Sequence, residues 1–308
     1  MTSRLGHGQY LMSDLTPDPS AQPELVTLTE SGQKAEEKTS RAGRNLPAAI
    51  AVGLFLGALI ISTLFLQRDY FIVVLVGAVI IGIREIARAF NSASFHVAQI
   101  PIVAGGCATV VLAYSRGPEA AIVGWLLTVV VILLWRLTEP GRGVLRDFSA
   151  SVFTLIYVPF LASFAALLTA PSDGPRRVVA FIAVTVCSDV GGYAAGVFAG
   201  KHPMAPTVSP KKSWEGFAGS IVATAIGGTL LVSLPLHAAI WQGLTFGVAV
   251  CVVGTLGDLG ESMLKRDMGL KDMGTLLPGH GGIMDRLDSL LLVAPVAWLL
   301  LSAFVATP

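Results

Sequence analysis

Six acids and four bases crowd the stretch 258–288: Asp258, Glu261, Asp267, Asp272, Asp285 and Asp288 against Lys265, Arg266, Lys271 and Arg286. Beyond the first 45 residues the chain holds fourteen acids, so this one stretch carries nearly half of them. Long apolar segments flank it on both sides. Asp258 closes the segment before it. If that helix continues, Glu261 at i+3 and Lys265 at i+7 share the face of Asp258. A plain Glu261–Lys265 salt bridge is the simpler reading of that pair. Asp285 and Asp288 open the segment after it, where acids favour a helix start by themselves. Asp258 stands at the wrong end of its helix for that explanation. If Asp258 and Asp285 converge, a cation must lie between them. Hard oxygen ligands suit Mg²⁺, which takes one or two carboxylates plus substrate phosphates. Between the acids lies a PGHGG turn, 278–282. Its His280 either contacts a ligand or caps the turn, since hard-oxygen chemistry does not call for histidine.

Two more places carry polar residues in apolar surroundings. Asp189 lies near the middle of an apolar segment, followed by Gly191, Gly192, Gly196 and Gly200. A carboxylate at membrane depth costs about 2.5–3.5 kcal/mol on insertion scales and usually faces a cavity or a partner. The alternative is a helix-packing Asp hydrogen-bonded to a neighbour. The second place is SPKKSWEG, 209–216. Ser209 as N-cap and Pro210 at the first helical position predict a helix start there. Lys211 and Lys212 then fall in the first turn, where free backbone N–H groups and two cations suit a phosphate. A lysine pair marking a cytoplasmic boundary explains them equally well. Carboxylates for Mg²⁺, lysines for phosphate and a membrane-depth acid together point to phosphoryl or nucleotidyl transfer at a lipid surface.

The elements that must position these residues are membrane helices. Apolar residues make up 53% of the 308 and charged residues only 13%, where a soluble domain carries about 25%. Mean hydropathy is +0.71. The fold class expected is an all-α polytopic membrane protein. Spans of about 20 apolar residues fall at 46–66, 70–83 (running on towards 87), 97–114, 120–135, 151–169, 178–199, 217–236, 238–256 and 287–305, nine in all. Counted over alternate loops, seventeen of the 21 bases fall on the side of the N-terminus. The positive-inside rule then predicts a cytoplasmic N-terminus, an external C-terminus and a cytoplasmic 258–288 loop. Residues 1–45 are polar, with Pro17, Pro19 and Pro23, and are expected to form a disordered cytoplasmic tail without a signal peptide. Residues 46–308 form the membrane-embedded catalytic domain. Cys107, Cys187 and Cys251 lie in apolar segments without metal-ligand spacing and are expected as small core residues. The net charge of +1 gives no electrostatic case for nucleic acid.

The loop resembles the signature of the phosphatidate cytidylyltransferases, the CDP-diacylglycerol synthases. The family pattern S-x-x-K-R-x4-K-D, a short spacer and H-G-G-x-x-D-R-x-D is filled by Ser262, Lys265, Arg266, Lys271, Asp272, His280, Gly281, Gly282, Asp285, Arg286 and Asp288. The elements around Ser188, Asp189 and Tyr193 and at SPKKSWEG follow the same family in the same order. The resemblance covers most of the chain from Leu46 onward, although the first five spans match only as generic apolar helices. It implies transfer of the cytidylyl group of CTP to phosphatidic acid, giving CDP-diacylglycerol and pyrophosphate at the cell membrane. It implies a metal centre on Asp258 and Asp285, holding Mg²⁺ with a monovalent cation such as K⁺ beside it. Asp288 is a further candidate ligand. Asp258, Asp285, Lys265, Arg286 and Asp189 are the candidate catalytic residues. Ser209, Lys211, Lys212, Arg266, Lys271 and His280 are the candidate substrate contacts. A homodimer is an expectation that no particular residue carries. The rivals are a related CTP-dependent lipid or polyprenol kinase and, from another class, an ion-coupled transporter with Asp189 as its ion site. The absence of internal repeats counts against the transporter.

Overall fold

The computed structural model describes residues 46–138, 143–274 and 281–306. The expected tail, and with it the division at residue 45, lies outside the described residues, as does His280. Nine helices and one short ribbon make up the described part. The helices are α1 (Leu46–Leu66), α2 (Arg68–Ser92), α3 (Gln99–Arg116), α4 (Pro118–Leu137), α5 (Val144–Thr169), α6 (Gly174–Ala199), α7 (Trp214–Ser233), α8 (Ile240–Asp267) and α9 (Met284–Phe304). The ribbon pairs β1 (Pro203–Ala205) with β2 (Ser209–Ser213), antiparallel, between α6 and α7. Each helix coincides with one of the apolar runs. Seven of them are long and apolar enough to cross a membrane, all except α1 and α3. The chain is an all-α polytopic membrane protein.

Local chemistry sets the breaks. Gly117 takes a positive φ of 87° and ends α3, and Pro118 opens α4 at a position where its missing N–H is no loss. α5 starts ahead of its apolar run, at Val144, and two helices run on well past the ends of theirs. α2 continues through Arg84, Glu85 and Arg88 to Ser92, and α8 continues past Asp258 to Asp267. Charged residues prolong both because they remain good helix formers once the apolar stretch has ended.

Small residues bring α6, α7 and α8 together. A Cβ added to Gly192 of α6 would stand 2.4 Å from Ser220 Oγ of α7, and one on Gly219 of α7 would stand 2.3 Å from Ala195 Cβ. At the next interface a Cβ on Gly247 of α8 would lie 2.0 Å from the Thr224 carbonyl oxygen of α7. Between membrane helices such close backbone approach is the main source of packing energy. It also fixes where Asp189 and Asp258 stand relative to each other. At the opposite end of the bundle, Arg177 of α6 is 1% exposed. It pairs with Asp173 at 2.8 Å and donates to the carbonyls of Leu301 and Val305, which ties α6 to the end of α9.

α5 carries a π-helical turn, Ile156–Phe160, around Pro159. Proline lacks the N–H that an α-helical turn would use, and the wider turn absorbs its ring. Gly106 of α3 makes room for that ring, since a Cβ there would come within 2.8 Å of it.

Candidate active site

A cavity of about 440 Å³ opens among α6, α7, α8, the ribbon and the start of α9. Asp189 and Ser188 come from α6, Lys211 and Lys212 from β2, Asp258 and Thr255 from α8, and Asp285, Arg286 and Asp288 from α9. Asp189 and Asp285 therefore face one common cavity. Four carboxylates and three side-chain cations line it among the described residues.

The lysine pair reaches the cavity by a route other than the one expected. Ser209 and Pro210 do not start a helix. They lie in β2, and α7 starts at Trp214 with Ser213 as its N-cap. Ser213 Oγ accepts the Gly216 N–H at 3.1 Å, the bond that defines a working cap. Glu215 in the first turn accepts the N–H groups of Lys201 and His202 at 3.1 and 3.2 Å and meets the His202 ring at 2.6 Å. Two start signals competed, and the second has the better partners. Pro210 is tolerated in the strand because both strands of a two-stranded ribbon are edges. Lys211 and Lys212 thus approach from a strand, just ahead of the α7 N-cap, and do not lie in a first helical turn. Lys212 Nζ lies 2.6 Å from Asp258 Oδ2, with both side chains about a quarter exposed.

Asp285 organises the loop as well as lining the cavity. Its Oδ2 accepts the Gly282 N–H at 2.8 Å, both oxygens lie within 3.2 Å of the Met273 N–H, and Oδ1 meets Lys265 Nζ at 3.0 Å. Gly281 holds a positive φ of 79°, and a Cβ there would fall 2.7 Å from Asp285 Oδ2. The two glycines of the HGG element let the chain wrap closely around this carboxylate. Lys265 also meets Glu261 Oε2 at 3.1 Å, so the expected i,i+4 bridge is present and extends to α9.

Asp258, Asp285, Asp288, Asp189, Arg286, Lys211 and Lys212 are brought to the cavity. Lys265 sits behind its wall, bonded to two acids. Ser209 and Lys271 do not line it, and Arg266 donates instead to the Val208 carbonyl, fastening the ribbon's turn to α8. Sequence reasoning passed over Glu85 of α2, whose carboxylate reaches the loop's end and accepts the N–H groups of Ile283 and Met284. Its only sequence signal is an acid within a helix that is otherwise buried along that face.

The donor chemistry fits a hard cation. Asp288 and Asp258 line the same cavity, where Asp258 meets Lys212. Glu261 is fully buried, and its Oε1 has no hydrogen-bond partner. Carboxylates so placed require a proton or a cation. No three acidic, histidine or cysteine side chains among the described residues converge as a ready-made cage. A Mg²⁺ ion that shares its coordination with substrate phosphates needs only one or two protein carboxylates.

Comparison with known proteins gives the same direction. Residues 47–304 match the cytidylyltransferase family. A phosphatidate cytidylyltransferase of Mycobacterium leprae is 43% identical over 286 residues, covering 88% of this chain and 92% of that one. One of Mycobacterium bovis is 42% identical over 304 residues, covering 93% and 97%. One of Staphylococcus epidermidis is 30% identical over 264 residues, covering 84% and 98%.

Proposed function

The chain belongs to the cytidylyltransferase family, and we propose that it is a phosphatidate cytidylyltransferase that joins CTP to phosphatidic acid. The observation that carries this reading is one cavity in which four carboxylates and three cations meet among membrane helices. A phosphate oxygen of the lipid attacks the α-phosphorus of CTP. The new P–O bond forms as the bond to the β-phosphate oxygen breaks, and pyrophosphate leaves in line. The lipid phosphate is already anionic at neutral pH, so no general base is needed.

Each side chain has a task that follows from its charge. Lys211, Lys212 and Arg286 supply positive charge for the triphosphate and the lipid phosphate. Asp258 and Asp288 offer the oxygen atoms for Mg²⁺, with Asp285 joining by lone-pair capacity left beside its three donors. Mg²⁺ when bound would neutralise charge that develops on the phosphate oxygens. A monovalent cation such as K⁺ would suit the neighbouring acids, among them Glu261 with its unpartnered oxygen. Asp189 of α6 lines the same cavity. Lys271, Ser209 and Arg266 are assigned no contact with the reacting groups.

The setting favours a lipid substrate. Phosphatidic acid would keep its acyl chains among the apolar helices and present only its head group. The excess of bases on one side of the spans supports a cytoplasmic cavity in the plasma membrane, where CTP is available. The test is incorporation of labelled CTP into a lipid-soluble product by purified protein with phosphatidic acid. Activity should vanish with chelator and return with Mg²⁺. Transfer of label from CTP labelled at the γ-phosphate to a polyprenol, used in place of phosphatidic acid as the acceptor, would identify the kinase-like rival. No product from either lipid would refute the reading.

A further inference from the structure

Glu85 is 3% exposed and lies on α2, a helix that contributes nothing to the cavity wall. Its carboxylate accepts the Met284 N–H at 2.8 Å and the Ile283 N–H at 3.2 Å. These amides open α9, whose first turns carry Asp285, Arg286 and Asp288. A helix start leaves its first N–H groups without intrahelical partners, and a polar N-cap side chain usually takes them. The N-cap here is Ile283, which has no acceptor. Glu85 supplies it from 198 residues away in sequence.

The chain is shaped to admit this carboxylate. A Cβ on Gly282 would stand 2.4 Å from Glu85 Oε2, and one on Gly274 would stand 2.3 Å from Oε1. Both ends of the loop therefore close over Glu85. No lysine or arginine among the described residues pairs with it. Its charge is met by the two amides and by the positive end of α9. Asp285 grips the same segment from the other side through Gly282 and Met273. Two carboxylates thus hold adjacent amides, and the placement of the α9 site residues depends on both.

We propose that Glu85 is a positioning residue for cytidylyl transfer, setting the height and rotation of the α9 start so that Asp285, Arg286 and Asp288 meet the substrates correctly. The proposal builds on the cytidylyltransferase reading above. Supporting residues of this kind typically alter activity about 10- to 100-fold when removed.

The test uses full-length protein in detergent with CTP, phosphatidic acid and Mg²⁺. An inactive wild type refutes the reading of the site itself. With an active wild type, Glu85→Gln should lower kcat by about tenfold or more while KM for CTP changes less than about threefold. Glu85→Ala should fall further, and Glu85→Asp should recover part of the loss. Gly282→Ala should show the same kcat-selective loss, because its Cβ displaces the carboxylate. Combining it with Glu85→Ala should cost little more than either change alone. Wild-type kcat in a folded Glu85→Gln protein overturns the proposal. So does parallel loss of folded protein and activity in both Glu85→Gln and Gly282→Ala, which would leave Glu85 a purely structural residue.

Discussion

Asp285→Asn separates what the carboxylate does for the fold from what it does for the reaction. Three donors converge on it: the N–H groups of Met273 and Gly282 and the Lys265 ammonium. A hydrogen bond to a charged group contributes about 1.5–3 kcal/mol and a neutral one about 0.5–1.5, so each retained bond weakens by about 1 kcal/mol. The new amide NH₂ must also face one donor, which costs about 1–3 kcal/mol more. Against this, Lys265 keeps Glu261 as its partner, so no unpaired cation is created. The expected loss of stability is about 3 kcal/mol. For a domain of this size each kcal/mol moves Tm by about 2–4 °C, giving a drop of about 6–12 °C with the protein still folded at room temperature. Cytidylyl transfer should fall to background, because the substitution removes a charge from the cavity and loosens the loop. Thermal unfolding in detergent and labelled-CTP incorporation measure the two effects. Retained activity would show that Asp285 takes no part in the reaction. An unchanged Tm would show that the loop does not depend on its hydrogen bonds.

Lys212→Met should reduce kcat/KM for CTP at least about tenfold, since it removes a cation from the triphosphate and leaves Asp258 unpaired; initial rates at varied CTP check this. Gly247→Ala should lower Tm markedly, because its Cβ would meet the Thr224 carbonyl at 2.0 Å and force α7 and α8 apart; a thermal scan of the purified variant decides it. Deleting residues 1–40 should leave specific activity nearly unchanged, and a large loss in the same assay would show the tail to be catalytic or regulatory.

Much of the architecture was written in one dimension. Apolar runs located all nine helices among the described residues because membrane spans need long, nearly uncharged segments, and that signal needs no tertiary knowledge. The acids at 258, 285, 288 and 189 stood out for the same reason, since charge is rare in such segments. Two things were not legible. The start of α7 was misplaced because Ser209-Pro210 and Ser213 both carry cap chemistry, and only the pairing of β2 with β1 decides between them. Glu85 was passed over because its partners, Ile283 and Met284, lie at the far end of the chain. Lys265, a candidate catalytic residue, and Arg266, a candidate substrate contact, also meet protein acceptors that their local spacing does not reveal in full. Local spacing reveals which residues are charged, and the packing decides which of those charges meets another.

The amides at the head of α9 are already engaged by Glu85 and Asp285. Those amides are therefore not open to an anion, and Lys211, Lys212 and Arg286 are the cationic groups at the cavity that can grip phosphate. Such a grip is reversible in a way a rigid cradle is not. When pyrophosphate departs, Lys212 has Asp258 to return to, so the emptied pocket carries its own counter-ion. Pyrophosphate retention then competes with an internal ion pair, and product release should quicken as that pair is strengthened.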